Sequence, residues 1–382
     1  MNEVGVVDGV DVLVEDGIIT KIGNVEPQEH YEILDVSGKI LIPGFVDSHT
    51  HAIFAGTREH EFSLRAKGKS YCEIADEGGG IFQTVKATRE WPKSKLRSHA
   101  ERRLDNMLKW GTTCVEVKSG YGLDFKNEVK LLEAIQEMKS ELLPDVVATF
   151  LGAHAIPPEC DHDTYVNIIT KEMLPYIAKK KLAEFCDVFC EEGFFTIEES
   201  RRILLAARAL GFKLKMHADE LAAGGGVNLA VELGATSVDH LEKISADEIR
   251  LVSESDTIAV ILPAAAAYLR TKPAPGRAMI DANCVVAIAS DFNPGTSMVD
   301  NMSSVMWLAI CFNEMTVEEA LNASTINAAA ALGLSSKLGS IEIGKQADIL
   351  IVDTEDYAYI PYHFTENRIA NVVKHGTVLE FS

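Results

Sequence analysis

The chain has 382 residues, with 36 Lys and Arg against 57 Asp and Glu, a formal net charge of −21 at pH 7. That balance repels phosphate backbones and anionic membrane surfaces, so neither nucleic acid nor a lipid headgroup is an expected partner. The longest apolar run, residues 258–269, holds 12 residues including Pro263 and is too short to span a bilayer. The acidic start has no basic flank followed by an apolar stretch, and the seven cysteines form no CxxC pair. Both features point to the cytoplasm and away from a secreted disulfide framework.

In chain order, residues 10–23 and 31–42 are short Val/Ile/Leu runs broken by Asp-Gly and Ser-Gly turns, which predicts antiparallel strands. From about 43 to 330, β-rich runs alternate with helical patterns, the signature of repeated βα units around a parallel sheet. The predicted strands are 45–51, 113–118, 146–151, 186–190, 214–217, 237–240, 258–262 and 285–289, mostly continuous apolar runs as required when both faces are covered. Eight such strands predict a closed (β/α)8 TIM-like barrel. Thr196 with Glu199, Ser245 with Glu248 and Thr316 with Glu319 fit capping boxes, and Gly111, Gly211 and Gly333 sit where helices should stop. Residues 340–353 again read as antiparallel strand. The predicted organisation is therefore a barrel over 43–330 and a small composite β domain built from 1–42 and 331–382.

The chemistry collects at the predicted strand ends. His49 and His51 are two apart in the first strand and so point to one face. Alone, such a pair is equally compatible with two ordinary histidines. However, His217 closes the fifth strand, His240 the sixth and Ser290-Asp291 the eighth, which gathers imidazoles and a carboxylate at the C-terminal mouth, where barrel enzymes place their sites. Three neutral imidazoles and one carboxylate suit one divalent transition metal such as Zn²⁺ or iron, with a position left for water.

The stretch Pro43-Gly-Phe-Val-Asp-Ser-His-Thr-His, followed by a fifth-strand His, a sixth-strand His and an eighth-strand Asp, resembles the amidohydrolase superfamily. Within it, the chain is similar to the imidazolonepropionases through Gly56-Thr-Arg-Glu-His-Glu-Phe, Ser119-Gly-Tyr-Gly-Leu, Phe150-Leu-Gly-Ala-His-Ala-Ile-Pro, His217-Ala-Asp-Glu and Ser290-Asp-Phe-Asn-Pro-Gly-Thr. The resemblance implies hydrolysis of the cyclic amide of 4-imidazolone-5-propanoate to N-formimidoyl-L-glutamate, in histidine degradation. It implies His49, His51, His217 and Asp291 as ligands of Zn²⁺ or Fe²⁺/Fe³⁺, and Glu220, His240 and Asp291 as proton carriers. Arg58 and Tyr121 would hold the propanoate, and His154, Glu220, Asn293, Gly295 and Thr296 would lie beside the substrate. Members that bind two metals bridge them with a fourth-strand lysine. The fourth strand here has none, which implies one metal and leaves Lys118 as a structural ion-pair partner. The chain also starts almost directly at the first hairpin, implying a trimmed β domain, and a homodimer is the expected assembly.

Each residue also has an ordinary reading. Arg58, flanked by Glu59 and Glu61, could form only a surface ion pair; Tyr121 could be a turn aromatic, and His154 a loop histidine. Two rival functions follow: a deaminase of a purine or pyrimidine ring, which shares the His217/Glu220 spacing, and a non-catalytic amidohydrolase-like scaffold. Arg58 and Tyr121 argue against the first, since neutral bases offer no carboxylate to hold. The complete ligand set argues against the second.

Overall fold

Short apolar runs bounded by turn signals mark where the strands lie, and the computed structural model, which describes residues 3–69, 73–74, 78–141 and 144–381, arranges them into three sheets. Strands β1 (Asp11–Glu15) and β2 (Ile18–Gly23) form an antiparallel hairpin. The barrel strands are β4 (Phe45–Asp47), β5 (Thr112–Lys118), β6 (Asp145–Ala153), β7 (Phe185–Cys190), β8 (Lys213–Ala218), β9 (Ser237–His240), β10 (Ile258–Ile261) and β11 (Val286–Ile288), all parallel and in sequential order. A third, antiparallel sheet unites the two ends of the chain: β3 (Ile40–Pro43) pairs with β12 (Ile349–Val352), which pairs with β13 (Ile369–Lys374), and that with β14 (Thr377–Leu379).

Every residue of β5 and β7 is buried, because helices cover the outer face while side chains fill the inside. The three capping boxes form as predicted, and Gly111, Gly211 and Gly333 each adopt positive φ just beyond a helix. Helix Ile326–Ala331 sets Ala328, Ala329 and Ala331 into an apolar cluster with Val46, Cys114, Phe185 and Val260 of the barrel strands.

Three expectations need correction. Residues 31–39 form no strand, because Ser37 N–H and Oγ–H both donate to Asp35 Oδ1 (2.9 and 2.7 Å) and that local turn competes with any ladder. Residues 340–348 likewise turn, with Lys345 N–H donating to Glu342 O at 3.1 Å, so only the end of the 340–353 run is strand. The hairpin of β13 and β14 was not anticipated; its turn places His375 (φ 49°) and Gly376 (φ 76°) in the left-handed region, the geometry that two-residue hairpin turns require.

Candidate active site

The regular ladder of β4 ends at Asp47, two residues short of His49. The chain beyond it stays hydrogen-bonded to its neighbours. Lys118 N–H donates to Thr50 O (2.9 Å), His51 N–H to Phe292 O (2.9 Å) and Asp291 N–H to His49 O (3.0 Å). These bonds join the first barrel strand to the second and the eighth, and they close the barrel at its C-terminal rim.

The seam delivers the predicted ligands to one point. The ring centroids of His49 and His217 lie 4.5 Å apart and those of His49 and His51 5.3 Å, and the candidate donor atoms of the three fall within 4.8 Å of one another. Asp291 Oδ1 is 3.5 Å from both His49 Nε2 and His51 Nε2. Burial first, then Lys118 for His49 and His154 for His51, holds both imidazoles well below their ordinary pKa, so they are neutral and keep a lone pair.

His49 Nδ1 lies 2.6 Å from Asp239 Oδ2. An ionised carboxylate can only accept, so the ring proton sits on Nδ1 and the lone pair on Nε2. His217 Nδ1 lies 3.0 Å from Asp187 Oδ2, an ion-pair distance that the ring does not meet with hydrogen-bonding geometry. His49 Nε2 and both ring nitrogens of His217 are buried with no hydrogen-bond partner among the described residues; such a buried unmet group costs about 1–3 kcal/mol, which a bound cation would remove at the nitrogen it engages. Carboxylate-oriented imidazoles converging with a carboxylate fit a divalent metal ion.

Below them the barrel interior is charged. Lys118 Nζ is 2.8 Å from both Glu116 Oε2 and Asp187 Oδ2. Lys215 Nζ is 3.1 Å from Glu116 Oε2 and donates to Ser48 O at 2.8 Å, and Thr149 Oγ–H donates to Glu116 Oε1. Burial alone would depress the Lys118 pKa, but Asp187, Glu116 and Asp239 hold it well above its ordinary value. Three carboxylates facing two ammonium groups leave net negative charge beneath the histidines. His49, Glu116 and Asp239 could also group around a cation, but the two ammonium groups already fill that role. Lys118 is thus the ion-pair partner expected. Sequence reasoning did not single out Glu116, Asp187, Lys215 or Asp239. Their signal was a charged residue inside an otherwise apolar strand, as with Glu116 and Lys118 two apart in one strand.

A cavity of about 450 Å³ opens above the histidines. His51, His154, His217, His240 and Asp291 line it, together with Arg58, Tyr121, Glu220, Asn293 and Thr296. Arg58 is 7% exposed, which rules out a surface ion pair; its Nε and Nη2 donate to Glu61 Oε2 at 2.9 and 2.7 Å. Gly295 does not line the cavity. Its α-carbon abuts the Arg58 guanidinium, since a Cβ there would lie 2.2 Å from Nη1, and its carbonyl accepts from Arg65 Nη2 at 2.7 Å. Asn293 Oδ1 accepts from the N–H of Gly295 and of Thr296, both at 2.8 Å, and so shapes the turn after β11. Thr296 Oγ–H reaches Asp291 Oδ2 at 3.3 Å.

His154 Nδ1 lies 3.1 Å from Gly120 O; a carbonyl only accepts, so Nδ1 is protonated and Nε2 is an acceptor. Burial, then His217, lowers the His154 pKa to about 3. His240 Nδ1 is 3.5 Å from Glu220 Oε2. Burial, then Glu191, pushes the Glu220 carboxyl up to about 8. Positive φ at Asp219 (55°), His240 (85°), Leu241 (72°) and Asp291 (49°) concentrates backbone strain on this rim, as functional sites commonly do. Arg65, Lys69 and Arg270 also line the cavity and were not singled out. Arg65 lies seven positions after Arg58, a helical repeat that could have revealed it.

The amidohydrolase family model matches residues 40–379. The imidazolonepropionase of Clostridium tetani is 45% identical over 387 residues, covering 99% of this chain and 92% of that protein. That of Shouchella clausii is 45% identical over 389 residues, covering 99% and 87%. Among solved structures, the chain is similar to a 5-methylcytosine deaminase from Klebsiella pneumoniae (TM-score 0.77, 17% identity, 97% of this chain and 94% of that one). It is also similar to an adenosine deaminase from Xanthomonas campestris with bound zinc (TM-score 0.72, 18% identity, 97% and 88%). At such identities these two likenesses speak to the fold alone. The chain belongs to the amidohydrolase family and, within it, to the imidazolonepropionases.

Proposed function

We infer that the chain hydrolyses the ring amide of 4-imidazolone-5-propanoate to N-formimidoyl-L-glutamate, in histidine degradation. The observation that carries this reading is one cavity lined by His51, His217 and Asp291 together with the buried Arg58, in a chain 45% identical over nearly its whole length to an imidazolonepropionase. His49, His51, His217 and Asp291 would hold a single Zn²⁺ or iron ion. Such an ion supplies Lewis acidity, which polarises a carbonyl and makes water acidic enough to ionise near neutral pH.

Arg58 takes the propanoate carboxylate through its guanidinium, and Tyr121 adds a phenolic donor. His154, held by Gly120 O, offers Nε2 to a ring N–H. Asn293 and Thr296, with the turn through Gly295, border the ring. The reaction adds the hydroxyl of water to the ring carbonyl carbon, and the remaining proton passes to Asp291 or His240. The C–N bond then breaks as Glu220, kept protonated by burial and by Glu191, gives its proton to the departing nitrogen.

We further propose that the barrel over 43–330 and the β unit from 1–42 and 331–382 are the chain's two domains, and that the protein works as a cytoplasmic homodimer. No described helix is long and apolar enough to cross a membrane, and the described cysteines are free. The decisive assay incubates the metal-loaded protein with imidazolonepropanoate and follows the loss of its ultraviolet absorbance, with the product identified by mass. Failure of metal-loaded protein to consume the substrate overturns the reading.

A further inference from the structure

The loop after β8 carries Glu220 but has no ladder partner of its own, so its backbone donors must be satisfied elsewhere. They converge on one buried side chain. Glu191, the first residue beyond β7 and 4% exposed, accepts from Glu220 N–H and Leu221 N–H on Oε2, both at 3.0 Å, and from Ala222 N–H on Oε1 at 3.1 Å. Three consecutive amides pointing at one carboxylate form an anion nest, here filled by the protein itself. The same loop is pinned at its other end, where Asp219 Oδ1 accepts from Gly224 N–H at 3.1 Å.

From this geometry we infer that Glu191 is a positioning residue for the reaction, because its carboxylate clamps amides 220–222 and thereby fixes the Glu220 carboxyl against the departing nitrogen. The inference rests on Glu220 being the proton donor proposed above. The device recurs on a loop with a different task. Buried Glu128 accepts from Gly120, Gly122 and Leu123 N–H at 3.1, 2.7 and 2.9 Å, around Tyr121, which would bind substrate and carry no proton. That pair provides an internal contrast.

The test compares full-length parent, Glu191→Gln and Glu128→Gln, each metal-loaded and checked for metal content, in H₂O and D₂O. A misplaced donor slows proton transfer, so Glu191→Gln should lower kcat by about 10- to 100-fold, with KM little changed and a larger solvent isotope effect on kcat. Glu128→Gln should act mainly on KM and leave the isotope effect as in the parent. The isotope effect is a ratio, so a merely misfolded fraction cannot move it. Hydrogen exchange of the 219–224 peptide should quicken in Glu191→Gln alone. Because the Glu191 charge also helps keep Glu220 protonated, Glu191→Asp, which keeps that charge but withdraws the carboxylate by one methylene, is measured beside it and should show the same fall in kcat and the same larger isotope effect; parental values in Glu191→Asp overturn the positioning role. Parental kcat, or a lowered kcat with the parental isotope effect, overturns the role of Glu191. An inactive parent overturns the proposed function itself, whatever the exchange data show.

Discussion

Asp291 donates its backbone N–H to the carbonyl of His49 at 3.0 Å, and the side chains of the same two residues meet again with Oδ1 3.5 Å from Nε2. One seam therefore closes the barrel and assembles the candidate metal ligands. A ligand substitution at this seam should empty the site without opening it, because the closing bonds belong to the backbone. His49→Ala and Asp291→Ala are expected to lose metal and turnover together while keeping the parent's circular dichroism. Elemental analysis should give one equivalent of zinc or iron in the parent and almost none in either variant.

Glu220 should show itself through pH. Its folded pKa is raised to about 8, so the carboxyl is protonated below that value and able to donate; above it the proton is lost. The expectation is a kcat/KM, which reports the unliganded protein, that is held up to about pH 8 and falls on the alkaline side. In Glu220→Gln that limb should vanish, kcat should drop by about 10²- to 10⁴-fold, and metal content should match the parent.

The Arg58 guanidinium donates to Glu61 and, in the proposed function, also holds the carboxylate of the substrate. Arg58→Met removes both interactions. Weaker binding of the anionic substrate, by roughly 2–5 kcal/mol, should appear in KM, and Glu61, whose Oε2 loses both guanidinium donors while Oε1 keeps the Gly80 N–H, should lower the unfolding midpoint. Adding Glu61→Gln should recover the midpoint but not KM, which separates the structural ion pair from substrate binding. An amide analogue of the substrate should be nearly indifferent to Arg58→Met.

The charged barrel interior predicts a stability effect remote from the substrate. Lys118→Met leaves Glu116 and Asp187 buried with less compensation and should cost about 3–5 kcal/mol, read from urea unfolding of the metal-loaded protein. A cost near zero would mean that Lys215 alone neutralises the cluster.

The alternation of β and helical periods and the position of each capping residue are local properties, and they located all eight barrel strands and the three capping boxes from sequence alone. The strand-end histidines and Asp291 were legible for the same reason, since a strand's direction and its period of two say which end and which face a residue occupies, whereas Glu220 was reached only through the family resemblance. Where local signals compete, the sequence misled: the 31–39 run has strand-like alternation, but Asp35 and Ser37 close a turn on themselves.

Only the tertiary structure decided which partners each charge finds. Arg58 could not be placed against Gly295 from a spacing of 237 positions, nor Asp239 against His49, nor Glu191 against the amides after Glu220. These contacts join different strands and loops across the barrel mouth, where hydrogen-bond geometry in three dimensions, rather than chain order, selects the acceptor. The same holds for the metal site: the sequence supplied the ligand types, but the closing bonds between the first and eighth strands bring them to one point.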